Sequence, residues 1–165
     1  MHHSKSHGKQ TAPRRTGLAA MAIAILAMLI AAVPGYARTA HATGTTISVI
    51  EHATTDAEAP SVGGKDVAGN VLTFHNKIYN QADKKQVGRD EGFCMRLSVA
   101  DGSWECLWTT FLKGGQITVQ GPYYDKKNSV LTITGGTGSY NGARGNMALL
   151  ARDGGKKYNF VFHLL

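Results

Sequence analysis

Glu51 and Asn76 are the residues of this chain whose setting could do chemistry. Each falls on the apolar side of an alternating stretch, Glu51 with Ile47 and Val49, and Asn76 with Leu72, Phe74 and Ile78. Alternation turns every second side chain to one face of a strand. A carboxylate and an amide are thereby set among hydrophobes, where a buried polar group without a hydrogen bond costs about 1–3 kcal/mol. Two such placements are better explained by a cavity with polar partners than by chance. A shielded carboxyl can stabilise positive charge or transfer a proton, and an amide can orient a water or a substrate oxygen. Glu51 ends its strand, so cavity and solvent rim both stay open for it. Asn76 lies deeper, and the cavity is the expectation.

Other constellations do not hold together. Gly136-Thr137-Gly138 with Gly142 has the outline of a phosphate-cradling loop, which needs a helix behind it to present amides. Residues Ala143 to Arg152 read instead as a strand, and the glycines as a tight corner. His52, His75 and His163 show no ligand spacing, so neither a metal nor a cofactor is expected. No serine sits in a nucleophile elbow. The Tyr123-Tyr124 pair reads as rim packing rather than a platform for bases.

The elements that must position Glu51 and Asn76 begin after a leader. Lys5, Lys9, Arg14 and Arg15 precede an uncharged apolar run from Leu18 to Val33, and Ala40-His41-Ala42 offers a cleavage site before Thr43. Residues 1–42 therefore read as a secretory signal peptide, with an uncleaved anchor as the alternative, and the remainder as a secreted domain over 43–165. The leader holds five of the 18 basic residues and none of the 11 acids, which leaves the mature chain at +2. No nucleic-acid or membrane-surface partner follows from that balance.

Within 43–165 alternation recurs without sustained helical periodicity, which predicts one all-β domain, a sandwich or barrel. Strands are expected near Thr46–Glu51, Val71–Tyr79, Gly92–Val99, Trp104–Leu112, Gln116–Gln120, Ser129–Thr134, Ala143–Arg152 and Lys156–Leu165, with Ala53 to Asn70 as the longest loop. Cys94 and Cys106 lie on the two arms of one hairpin. A two-residue turn at Asp101-Gly102 would put them on opposite faces, whereas a wider loop or a bulge would bring them together. Export permits a disulfide, and separately buried thiols are the alternative. Trp104 and Trp108 share one face of their strand while Leu107 and Phe111 share the other, so something covers the outside. A homo-oligomer, dimer or trimer, is expected to provide that cover, although a long side chain folding over the surface would serve equally well.

Several runs, in order, carry a resemblance. They are Val49-Ile50-Glu51, Phe74-His75-Asn76-Lys77-Ile78-Tyr79, Gly92-Phe93-Cys94, Ile117-Thr118-Val119-Gln120-Gly121-Pro122-Tyr123 and Ile133-Thr134-Gly135-Gly136-Thr137-Gly138. The chain resembles the allene oxide cyclase family, and Gly142-Ala143-Arg144-Gly145 is closer to the related dirigent proteins. The resemblance implies an eight-stranded antiparallel β-barrel, lipocalin-like in shape, around a mostly apolar cavity. It implies a glutamate that stabilises developing positive charge and a water held on the epoxide oxygen by an asparagine, a serine and the backbone of a proline. Glu51, Asn76 and Pro60 fall on the glutamate, asparagine and proline; Cys94 and Tyr123 fall on pocket-lining positions, and Phe74 joins them as a substrate contact. Alternation sets Cys94 with Arg96 and Ser98, opposite Phe93, Met95 and Leu97. Either that wall is polar inside and apolar outside, or Cys94 is not in the pocket. Ala53 stands where plant cyclases carry a second asparagine, and Ala59 where they carry the serine.

Three activities fit this frame. The first is a cyclase or isomerase acting on an apolar oxygenated small molecule, of the fatty-acid epoxide class, with Glu51 and Asn76 catalytic. The second is a dirigent-like protein that steers radical coupling, for which two or more acids and an inward Arg96 or Arg144 would line the cavity. The third is a secreted barrel that binds a hydrophobic ligand without chemistry.

Overall fold

The computed structural model describes residues 44–59 and 63–165; the leader expectation and Pro60 lie outside them. Alternating sequence produces nine strands there: β1 (Thr45–His52), β2 (Ala57–Ala59), β3 (Val71–Asn80), β4 (Gln86–Ser98), β5 (Ser103–Leu112), β6 (Gly115–Tyr124), β7 (Ser129–Gly138), β8 (Gly145–Arg152) and β9 (Lys157–Leu164). Each strand from β3 onward pairs antiparallel with the next, and β1 pairs with both β9 and β3. Eight strands thus close into a barrel, while the short β2 continues the edge of β3. Closure leaves the barrel strands without a long unpaired edge.

The inward faces bury Ile78, Trp108, Ile117, Met147, Phe160 and Phe162. Removing such a side chain from water contributes about 1.5–3 kcal/mol. The aromatic part of this core depends on a missing side chain. Gly92 on β4 lies opposite Phe74 on one side and Trp108 on the other, and a Cβ there would collide with Trp108 Cβ and Leu107 O. Its absence lets the Trp108 indole rest 5.9 Å from Phe74 and 5.5 Å from Phe160, ring centre to ring centre.

The strands depart from the sequence expectation in informative places. β4 begins at Gln86 rather than Gly92. Its first half hides its alternation, because the inward residues Gly88 and Asp90 carry no apolar side chain and the charged Arg89 and Glu91 lie between and beside them. β6 runs on through Gly121–Tyr124, beyond its expected end at Gln120, and β7 through Gly135–Gly138, where a glycine corner was expected. A Cβ on Gly136 would strike the carbonyl oxygens of Tyr140 and Gln116, so glycine permits a close backbone approach inside a strand. The longest loop is interrupted by β2.

The hairpin between β4 and β5 settles the cysteines. Its loop is four residues long, Val99 to Gly102, and a bulge follows Arg96, so Cys94 pairs directly with Cys106. Their Cα atoms are 4.0 Å apart and a disulfide joins them. The wall is polar inside and apolar outside: Asp90, Cys94 and Arg96 are buried, whereas Phe93, Met95 and Leu97 are exposed.

Candidate functional site

The site is made by a bulge. β1 pairs with β3 as far as His52–Lys77, and β2 resumes at Ala57–Thr73. Four residues, 53 to 56, therefore stand opposite three, 74 to 76. An extra residue disrupts the ladder and re-aims the side chains beside it. Side chains replace the lost ladder bonds. Asn76 Oδ1 accepts from Thr54 N at 3.0 Å, Thr55 N at 2.9 Å and Thr55 Oγ1 at 2.9 Å, and His75 N donates to Thr55 Oγ1 at 2.8 Å.

The other end of the same amide gathers acids. Asn76 Nδ2 donates to Glu51 Oε1 at 2.8 Å and to Asp56 Oδ1 at 2.7 Å. Across the ladder, Asp90 pairs with Asn76 and its Oδ1 accepts the Asn76 backbone N–H at 3.2 Å. Glu51, Asn76 and Asp90 are all buried, while Asp56 reaches the surface. Burial, and then the Asp90 charge, push the Glu51 carboxyl well above its usual range, against the pull of the Asn76 hydrogen bond. Burial likewise pushes Asp90 up to about 7. The two titrate as a pair that keeps a proton into the neutral range.

The backbone around Glu51 is held from outside the barrel. Its neighbour His52 stacks on Tyr79 at 4.0 Å and contacts Asp83 at 2.6 Å, and Asp83 also accepts from Lys157 Nζ at 2.7 Å. At the same end, Arg96 fixes the segment leading into β3. Its guanidinium takes both Asp66 oxygens at 2.9 and 2.8 Å and Asp125 at 2.7 Å, and it lies 3.9 Å over the Trp104 ring. Such a forked, stacked arrangement suits arginine and not lysine.

A cavity of about 50 Å³, room for a few waters, opens at this end of the barrel. Glu51 and Asp56 form its polar side; Phe74, Trp108, Phe160, Tyr123, Tyr158 and the Cys94–Cys106 disulfide are among its walls. Tyr123 on β6 and Tyr158 on β9 meet hydroxyl to hydroxyl at 2.9 Å, across the two strands between them. Burial keeps both phenols protonated, above their ordinary range.

Of the residues expected from sequence, Glu51, Phe74, Cys94 and Tyr123 line this cavity, and Asn76 stands behind it in contact with Glu51. Both donors of the Asn76 amide group are engaged by carboxylates, so here the amide seats Glu51. Asp56 and Asp90 were not anticipated. Asp90 could have been found by extending the alternation of Cys94 and Arg96 backward through Gly92. Asp56 carries no such signal, because the bulge sets its face.

A closed antiparallel barrel with buried acids at the end of an internal cavity is the class this geometry defines. The allene oxide cyclase family model matches residues 43–164, and the chain belongs to that family. Among solved structures, pyocyanin demethylase is similar at 22% identity and a TM-score of 0.61, over 72% of this chain and 100% of that one. The pterocarpan synthase dirigent protein GePTS1 aligns at 16% identity and a TM-score of 0.60, over 73% and 82% of the two chains. The Diels-Alderase AbmU from Streptomyces koyangensis aligns at 15% and 0.57, over 94% and 81%. At these identities the likeness shows a shared barrel, and a shared barrel leaves the activity open.

Proposed function

We propose that this protein is a cyclase-like catalyst that folds an oxygenated, largely apolar small molecule inside the barrel and protonates or hydrogen-bonds its oxygen through Glu51. The observation that carries this reading is the Glu51 carboxyl, buried at the cavity end, seated by Asn76 and pushed well above the ordinary carboxyl range by that burial and by Asp90. A neutral carboxylic acid at neutral pH is a hydrogen-bond donor and a general acid. After proton transfer, the Glu51 carboxylate and its acidic neighbours face the positive charge left on the substrate, which is preorganised electrostatic stabilisation. The aromatic walls supply conformational steering. The cavity is narrow, so a chain of fatty-acid length would extend through the mouth past Tyr123 and Tyr158.

The test uses an allene oxide generated in the presence of the protein. Stereochemically enriched cyclopentenone, lost in Glu51→Gln, is the expected result; racemic product unchanged by protein would end the cyclase reading.

A dirigent-like role is the second reading, favoured by three acids around Asn76 and by the inward-facing Arg96. Against it, the Arg96 guanidinium is engaged by Asp66 and Asp125. Stereoselective coupling of phenoxy radicals made by a separate oxidant would select this reading. A third, non-catalytic binding barrel, would hold ligand and leave both assays unchanged.

Two accompanying expectations belong to the same proposal. The leader supports export, with a mature N-terminus at Thr43 that sequencing of the secreted protein would reveal. The exposed row Phe93, Met95, Leu97 and Leu107 supports a homo-oligomer, which sedimentation would detect.

A further inference from the structure

The polar side chains on the cavity walls are Glu51, Asp56, Tyr123, Tyr158 and Trp108. All but one of them have a hydrogen-bond partner within the protein. Asn76 holds Glu51 and Asp56, and the two phenols hold each other. The exception is the indole N–H of Trp108, which has no partner among the described residues. Trp108 is 3% exposed, so bulk solvent does not satisfy it either. An indole nitrogen can only donate, and a buried donor left unpaired costs about 1–3 kcal/mol. Such groups are rare in folded proteins and call for a physical reason.

The strand that carries Trp108 shows the contrast directly. Trp104 is buried on the same face of β5, and its indole N–H donates to Asp125 Oδ1 at 2.8 Å. Trp108 lies instead beside Phe74 and Phe160, neither of which offers an oxygen. Its place there depends on Gly92, whose missing Cβ would collide with Trp108 Cβ. The sequence thus gives up a side chain on β4 to seat an indole whose donor the protein leaves unused.

The remaining walls decide which acceptor suits that donor. Glu51 and Asp56 line the same cavity, so a carboxylate or phosphate would meet acidic groups there. Leu72, Phe74, Leu149 and Phe160 supply apolar surface. An uncharged oxygen on a carbon frame satisfies both conditions. A volume of about 50 Å³ admits that oxygen with the few atoms beside it, and the rest of a longer ligand stays in the mouth.

We propose that Trp108 is a ligand-binding residue whose indole N–H donates to an uncharged ligand oxygen, of a carbonyl or an ether, that enters the cavity ahead of the chain bearing it. The inference rests on the reading that the cavity is the ligand site. It deepens that reading by naming a second donor and the end of the ligand that goes in first. Trp108 exchanges no proton; it orients the oxygen.

The chain has two tryptophans, so its indole N–H signals can be followed one by one in NMR spectra of isotope-labelled protein. Trp108→Phe assigns them, and circular dichroism checks its fold. The probes, titrated at pH 7, are 2-hexanone, its hydrocarbon isostere 2-methyl-1-hexene, and hexanoate. The ketone is expected to shift the Trp108 N–H signal downfield, while the alkene and hexanoate do not and the Trp104 signal stays in place. Trp108→Phe should weaken ketone binding about threefold to tenfold, the size of one hydrogen bond, and leave alkene binding unchanged. A Trp108 signal that ignores the ketone, or that responds equally to the alkene or to hexanoate, would overturn the proposal. So would an equal loss of ketone and alkene binding in the variant; if the variant does not fold, the wild-type signal decides alone. Stereoselective cyclisation with an unmoved Trp108 signal would remove this inference and leave the cyclase reading standing. A ketone-bound indole with racemic product would do the reverse.

Discussion

Asn76 and Asp90 face each other across the β3–β4 ladder, and the Asp90 carboxylate accepts the Asn76 backbone N–H at 3.2 Å while the Asn76 side chain holds Glu51 at 2.8 Å. One residue thus connects two buried acids, through its backbone on one side and its amide on the other.

Replacing Asn76 should cost both stability and seating of the acid. Asn76→Ala removes three bonds to Oδ1 and two from Nδ2, and leaves buried partners unpaired. A loss of at least about 3 kcal/mol in denaturant unfolding is expected, from roughly 1 kcal/mol per bond and the added penalty for unpaired groups. A change below 1 kcal/mol would show that the bulge closes without its amide.

The acids set a pH dependence with a definite sign. Asp90 moves from 3.8 to about 7 on folding, so between these values the native state binds more protons than the unfolded chain. Stability is greatest at the acid end of that window and falls as pH rises through it, by up to about 1.4 kcal/mol per unit. Asp83, held below its ordinary value by Lys157 and His52, acts in the opposite sense and only as pH falls below that range. Asp90→Asn should flatten the decline between pH 5 and 8 and unfold at higher denaturant than wild type at pH 8. Parallel curves for the two proteins would contradict the assignment.

Removing the disulfide should loosen the cavity wall and the fold together. The bond closes a short loop, with 12 positions separating its cysteines. Loop entropy alone gives it about 3 kcal/mol. The Cys94→Ser, Cys106→Ser double variant should melt several degrees lower and lose affinity for apolar probes. An unchanged melting temperature would mean that β4 and β5 hold their register without it.

Gly92 is the test of the aromatic floor. Gly92→Ala places a methyl group against Trp108 and the Leu107 carbonyl, neither of which is the free end of a flexible chain. A destabilisation of about 1–3 kcal/mol with altered tryptophan fluorescence is expected. Fluorescence identical to wild type would show that the indole does not pack there.

Alternation made Glu51 and Asn76 legible because both sit in strands whose other inward residues are apolar. It failed at Asp90, since Gly88, Asp90 and Gly92 leave the inner face of early β4 without a hydrophobic signal. It could not reach Asp56, whose direction depends on a one-residue excess that becomes visible only when β1 and β2 are laid against β3. The cysteines stayed ambiguous for a related reason: their relative face depends on loop length and on the bulge after Arg96. The closed barrel was legible by resemblance, while periodicity alone left sandwich and barrel equal.

The bulge at residues 53 to 56 has an evolutionary consequence. One side chain, Asn76, both repairs the interrupted sheet and seats the acid, so a lineage that changes residue 76 must rebuild architecture and chemistry in one step. Asp56 and Asp90 are each tied to it by one hydrogen bond and can be exchanged singly. Diversification of ligand preference in such a barrel should therefore run through these two carboxylates, with the asparagine left in place as the pivot.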